Sequence, residues 1–146
     1  IILGAPGSGK TTALRDMIRL FSERGYRVGV ADERGEISGD GEFDLGPCSD
    51  VITGLSKAES AMLLLRGMNP QIIAMDEITQ SADADAIREL CCCGVELLAT
   101  AHARNADELR QRRVFAELLD TGAFKYALSI RGAGSARSYE LEGLYV

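Results

Sequence analysis

Apolar positions along the chain recur with two alternating periods, one suited to short strands and one to helices. Ile1, Ile2 and Leu3 form an apolar strand end, and from Lys10 onward Leu14, Met17, Ile18 and Phe21 fall at helical spacing until Gly25 supplies a stop. Residues 27–32 read as a short buried strand. Residues 33–50 are rich in Gly, Asp and Ser without periodicity and predict a long loop, a feature that compact domains reserve for function. Ser56 and Glu59 have the spacing of a capping box. They predict a helix through Arg66, with Ala58, Ala61, Met62 and Leu65 on its inner face and Gly67 at its end. Residues 71–76 are a nearly continuous apolar strand, as a sheet covered on both faces requires. A helix over 82–93 comes next, with Ile87, Leu90 and Cys91 inward and Gly94 closing it. Residues 96–101 predict a fourth strand. Asn105 with Glu108 marks another helix start, and Phe115, Leu118 and Leu119 precede a stop at Gly122. Residues 126–131 and 138–142, around Gly132 and Gly134, predict a terminal β-hairpin. Strands alternating with helices imply an α/β fold with a mainly parallel central sheet.

Composition narrows this picture. The 146 residues suit one domain, 1–146, and apolar and charged shares of 46% and 26% are those of an ordinary globular protein. No apolar run approaches bilayer-spanning length and no signal peptide is evident. Ile1 already stands inside a strand, which suggests a fragment whose amino-terminal part is missing. The net charge of −6 argues against a broad nucleic-acid-binding face. Of the four cysteines, Cys91, Cys92 and Cys93 are consecutive and Cys48 stands alone. That is no disulfide framework, so the expectation is reduced thiols in a cytoplasmic protein, with the triplet as core filler. Zinc is disfavoured because His102 is the single histidine.

The chemistry gathers first at Gly4-Ala5-Pro6-Gly7-Ser8-Gly9-Lys10-Thr11, which fits G-x-x-x-x-G-K-[ST] between a strand and a helix. Glycines let successive backbone N–H groups face one spot, a concavity suited to phosphate oxygens. Lys10 adds a point charge, the Thr11 hydroxyl can hold a magnesium ion, and the adjoining helix directs its positive end at the same place. The cradle extends through Thr12. This is the signature of a P-loop that binds a nucleoside triphosphate.

Two acidic pairs end apolar strands. Asp76-Glu77 comes after Ile72-Ile73-Ala74-Met75 in the form of a Walker B strand: Asp76 to hold magnesium, Glu77 to orient and deprotonate the attacking water. Asp32-Glu33-Arg34 ends the second strand, with Glu36 close behind. Four carboxylates at one sheet edge repel one another and call for a cation, for which magnesium is the first candidate. The fourth strand ends in Thr100-Ala101-His102. Placed between the P-loop and Walker B strands, Thr100 and His102 could contact the terminal phosphate or the water.

These motifs carry a resemblance. Leu64-Leu65-Arg66-Gly67-Met68-Asn69-Pro70-Gln71-Ile72-Ile73, leading into Asp76-Glu77-Ile78, resembles the Walker B region of type II and type IV secretion ATPases. Asp32-Glu33-Arg34-x-Glu36-Ile37 is similar to their acidic box, and Thr100-Ala101-His102 to their histidine box. More closely, the chain resembles the ATPase core of the stage III sporulation protein AA family, from the P-loop nearly to the last strand. The resemblance implies a RecA/AAA-like P-loop ATPase that uses ATP and Mg2+. It further implies a cytoplasmic location on the mother-cell side, a ring, usually a hexamer, and membrane-embedded sporulation channel proteins as partners. By position it makes Glu33 and Glu77 the acid-box and Walker B glutamates, with Glu77 favoured as the base, and His102 a phosphate sensor. Two departures stand out: Thr79-Gln80 replaces the family's Gly-Arg after Ile78, and Cys48 stands where an arginine is expected. Arg34, Arg66 and Arg104 remain as candidate substitutes for charge-stabilising arginines.

Two other classes fit parts of the pattern. A nucleic-acid translocase on the same core is disfavoured by the acidic balance and by the lack of an aromatic-basic strip, since only Arg110, Arg112 and Arg113 cluster. A slow nucleotide-dependent assembly switch differs from a motor in its insensitivity to replacing Glu77 by Gln.

Overall fold

The computed structural model describes residues 1–144. In chain order, β1 (Ile2–Gly4) leads through the P-loop into α1 (Lys10–Glu23), β2 (Val28–Asp32), β3 (Ser49–Thr53), α2 (Lys57–Met68) and β4 (Ile72–Met75). Then come α3 (Ser81–Cys92), β5 (Glu96–Ala101), α4 (Ala106–Arg110), α5 (Arg113–Asp120), β6 (Tyr126–Arg131) and β7 (Ser138–Gly143). The strands form one sheet in the order β3-β2-β4-β5-β1-β6-β7, and every neighbouring pair is parallel except β6–β7. The α/β class, the parallel sheet and the terminal hairpin are as the sequence predicts.

Alternation along the strands divides the core into two layers, because successive side chains leave a strand on opposite faces. Ile2, Val30, Ala74 and Leu98 pack on one face with Leu14 and Ile18 of α1. Leu3, Ala31, Ile73, Met75 and Ala99 pack on the other with Leu64 of α2, Ile87 and Leu90 of α3, and Phe115 and Leu118 of α5. All four β4 residues are buried, as expected for a strand covered from both sides.

Local chemistry explains the element boundaries. Ser56 Oγ accepts from the Glu59 N–H while the Glu59 carboxylate accepts from the Ser56 N–H, so the predicted capping box starts α2. Asn105 Oδ1 accepts from the Glu108 N–H to start α4. Thr79 and Gln80, which stand in place of Gly-Arg, both donate their N–H groups to Asp83 at the start of α3.

Five expectations need correction. The predicted loop over 33–50 ends in an unforeseen edge strand, β3, whose residues are all half-buried or exposed and so lack an apolar run. The face of α2 is centred on Ala61 and Leu64, with Leu65 at its margin. That helix runs on to Met68 and is capped by Asn69 in the left-handed region, so Gly67 does not end it. The last helical stretch is broken at Gln111 and Arg112 into α4 and α5. Of the cysteine triplet, Cys91 packs against the core, where burial pushes its thiol pKa up, while Cys92 and Cys93 are exposed.

Candidate functional site

Sheet register brings the sequence motifs together. Ala31 is level with Met75, Met75 with Ala99, and Leu3 with Ala101. The next residues along these strands, Asp32, Asp76, Thr100 and His102, therefore emerge beside the P-loop at the carboxyl ends of parallel strands, where open α/β sheets bind ligands. β5 lies between β4 and β1, as predicted.

Within the P-loop, Gly9 precedes α1 with φ +97°, a left-handed backbone open to glycine. Gly4 serves through its size: a Cβ there would collide with Ser8 Oγ and stand 3.1 Å from Ile130 O. Ser8 is buried, and its hydroxyl has no hydrogen-bond partner. Lys10 is 7% exposed. Its ammonium donates to Ala5 O at 2.9 Å and meets His102 Nδ1 at 3.0 Å. Burial lowers the Lys10 pKa from its ordinary value, and the Glu77 and Asp76 carboxylates oppose that shift. An ammonium has only donors, so Nδ1 accepts and the ring proton faces Glu77 from Nε2, which lies 2.8 Å from Glu77 Oε1. Lys10, His102 and Glu77 thus form one hydrogen-bonded chain.

Thr11 Oγ1 donates to Asp76 Oδ2 at 3.0 Å, so the predicted magnesium-binding pair is in direct contact. The hydroxyl of Thr100, fully buried, donates to Asp76 Oδ1 and accepts the Glu77 N–H at 2.8 Å. The expectation that Thr100 reaches a phosphate or a water is therefore corrected: it fixes the two acids instead. That fixation matters because Glu77 has φ +33°, a conformation L-residues adopt at a cost of about 1–3 kcal/mol. Sequence alone could not reveal this strain.

Glu33, Glu36, Asp76 and Glu77 line a common cavity of about 140 Å3 with Arg34 and Lys57. Of these two cations Lys57 pairs with acids, its ammonium lying 3.5 Å from Glu33 and 3.8 Å from Asp83. The sequence pattern makes magnesium the first candidate for that compensation, with local salt bridges as the alternative, and marks Lys57 only as a helix start. Asp32 also borders the cavity, but its carboxylate is spent on the loop. Buried to 2% exposure, it accepts from the N–H groups of Ile37 and Ser38 and from Ser38 Oγ, and so shapes the loop after β2. Arg15 of α1 holds that loop from outside, donating to the carbonyls of Glu36 and Ile37.

Of the predicted arginines, Arg34 lines the acidic cavity, Arg66 sits in the last turn of α2, and Arg104 is bound to Glu108 at 3.0 Å. A different arginine, outside every motif, lies against the P-loop backbone. Arg137, at the end of the β6–β7 turn, has its guanidinium carbon 3.1 Å from where a Cβ of Gly9 would stand. Its only sequence signal is its place after Gly132-x-Gly134 in that turn.

Fold and residue placement together define a class, the P-loop α/β fold that solved secretion ATPases share. The VirB11 ATPase of the Brucella suis type IV secretion system superposes with TM-score 0.73 at 16% identity, over 97% of this chain and 47% of that one. The pilus retraction motor PilT with bound ADP gives TM-score 0.69 at 19% identity, over 97% and 46%. Within that class the chain belongs to the family "Sporulation stage III, protein AA", whose family model matches residues 1–145. Stage III sporulation protein AA of Bacillus subtilis (strain 168) is 33% identical over 98% of this chain and 51% of its own length. The chain spans about half the length of that relative.

Proposed function

We propose that the chain is a magnesium-dependent ATPase core that energises a sporulation-associated, secretion-like channel complex between mother cell and forespore. The observation that carries this reading is the convergence of Lys10, His102, Glu77, Asp76 and Thr11 through direct contacts at one sheet edge. The P-loop from Gly4 to Thr12 cradles the triphosphate, and Lys10 exchanges its bond to Ala5 O for phosphate oxygens. Glu77, aimed by its own backbone and by His102, orients the water and takes its proton. His102 spans Lys10 and Glu77 and so registers phosphate at one end of the chain and carboxylate position at the other.

The donor set suits magnesium. Thr11 Oγ1 and Asp76 Oδ2 are hard oxygens in contact, and among the described residues no group of three or more His, Cys, Asp or Glu could hold a metal. Few protein ligands, with water and phosphate completing the shell, is this ion's habit. When bound, magnesium neutralises charge developing on the phosphates.

Two features support a ring. Val51, Leu55, Leu63 and Met68 are exposed at the β3–α2 end of the sheet, and Tyr139 and Leu141 at the β7 end. Different apolar patches at opposite ends suit head-to-tail association, which gives a ring when the rotation between subunits closes. Membrane-embedded channel proteins are the proposed partners, with the ATPase peripheral to them on the mother-cell cytoplasmic side. Among the described residues no helix is long and apolar enough to cross a membrane. A nucleic-acid track is not favoured, because Arg110, Arg112 and Arg113 are each paired with an acid on α4 or α5.

The test is phosphate release across a protein concentration series, with and without magnesium. Magnesium-dependent turnover per subunit that rises with concentration and vanishes in Lys10→Ala is expected. Turnover indifferent to both the lysine and the ion would refute the assignment.

A further inference from the structure

We propose that Arg137 is a phosphate-contacting residue of this same site, delivered in cis by the β6–β7 turn to hold the nucleotide's phosphate chain from outside the P-loop. The inference rests on the nucleotide-binding reading and adds to it a residue that no motif marks.

Topology puts the turn in the right place. β6 runs parallel to β1 with Ile130 level with Gly4, so the chain leaving β6 opens beside the start of the P-loop. The turn then folds back tightly. Gly132 has φ +78°, and a Cβ on it would stand 2.5 Å from Ala136 O, so only glycine fits. A single 3-10 turn over Gly134–Ala136 comes next, and the Arg137 N–H donates to Gly134 O. The result is an arginine returned over the N-terminus of α1.

The guanidinium lies flat on Gly9. Its Cζ, Nη1 and Nη2 stand 3.1, 3.2 and 3.3 Å from the position a Gly9 Cβ would take, distances nearly equal because the plane is stacked over that point. Stacking leaves the N–H groups directed along the loop surface instead of into it. Nε is buried and has no hydrogen-bond partner. By contrast Arg131, on the same hairpin, is paired with Glu140 at 2.7 Å.

Electrostatics makes this placement costly without an anion. The N-terminus of a helix carries partial positive charge, and Lys10 is the next residue after Gly9. A third positive group there is repelled, and an unpaired buried donor adds to the cost. A polyphosphate removes both penalties at once, and the planar fork of arginine matches two phosphate oxygens.

The experiment measures Kd by calorimetry for MgATP, inorganic triphosphate and adenosine, using the full chain and the variants R137Q, R137K and R131Q, with thermal unfolding run in parallel. R137Q is expected to weaken MgATP and triphosphate binding by roughly 10–100-fold, the range of charged contacts to phosphate. R137K should recover part of that loss, R131Q should stay within about twofold, adenosine binding should not change, and unliganded R137Q should unfold no earlier than the parent. Parental affinity for triphosphate in R137Q, or equal losses in R137Q and R131Q, overturns the inference alone. Should the parent chain bind neither MgATP nor triphosphate, the nucleotide reading fails and this inference falls with it. If R137Q does not fold, R137K decides: a charge kept without the planar fork must still weaken triphosphate binding measurably.

Discussion

Two neighbouring parallel strands, β2 and β4, end in the same dipeptide at the same level of the sheet, Asp32-Glu33 and Asp76-Glu77. Their environments differ at every atom that matters. Asp32 is buried and spends its carboxylate on three donors of its own loop, whereas Asp76 faces Thr11 and Thr100. Glu33 pairs with Lys57 across an ordinary backbone, while Glu77 takes a left-handed backbone and pairs with the histidine that touches the P-loop lysine. The segment that leaves each strand produces the difference. After β2 the chain must fold a long glycine-rich loop, and the aspartate supplies its acceptor. After β4 only residues 76–80 precede α3, and the aspartate faces Thr11 of the P-loop. An acidic pair at a strand end is therefore one signal with two outcomes, one structural and one chemical.

The sharpest way to break this contrast is catalytic. Glu77→Gln is expected to lower single-turnover phosphate release by roughly 10^2–10^4-fold while MgATP stays bound, the range of a lost general base. Glu33→Gln should cost less than about tenfold, because its partner is a half-exposed ion pair. The reverse ranking would move the base to the acid box. Stability should rank the aspartates the other way. Asp32→Ala strands three donors and is expected to lower unfolding free energy in urea by about 2–4 kcal/mol, more than Asp76→Ala, which also strands three donors but relieves repulsion from Glu33, Glu36 and Glu77 in the shared cavity. Equal losses would show that Asp32 does not organise its loop. The smallest effect concerns backbone strain: Glu77→Gly should stabilise the fold by about 0.5–1 kcal/mol relative to Glu77→Ala, since glycine accepts positive φ freely. No difference between the two would mean that residue 77 relaxes to a negative φ.

Much of this architecture is legible from residue order. The P-loop, the apolar run before Asp76, the capping box at Ser56 and the strand ending in His102 each combine a local pattern with a chemical reason for it. The features that escape do so because their cause lies between distant segments. β3 is an edge strand with Val51 exposed and Ile52 only half-buried, so neither an apolar run nor strict alternation announces it. Thr100 reads like any strand residue, and only the register of β4 against β5 turns its hydroxyl toward Asp76 and Glu77. Lys57 looks like a helix start until the cavity brings Glu33 and Asp83 to it. Arg137 lies far from every motif in sequence and reaches Gly9 through the pairing of β6 with β1.

His102 has one further consequence. A single imidazole touches the P-loop cation with one nitrogen and the Glu77 carboxylate with the other, so neither neighbour can shift without freeing the ring to rotate. In the proposed ATPase, an anion that draws Lys10 away would loosen the grip on Glu77 through one side-chain rotation, on the picosecond-to-nanosecond scale of such motions. On that proposal no helix would have to slide and no strand to re-pair for the message to cross the site.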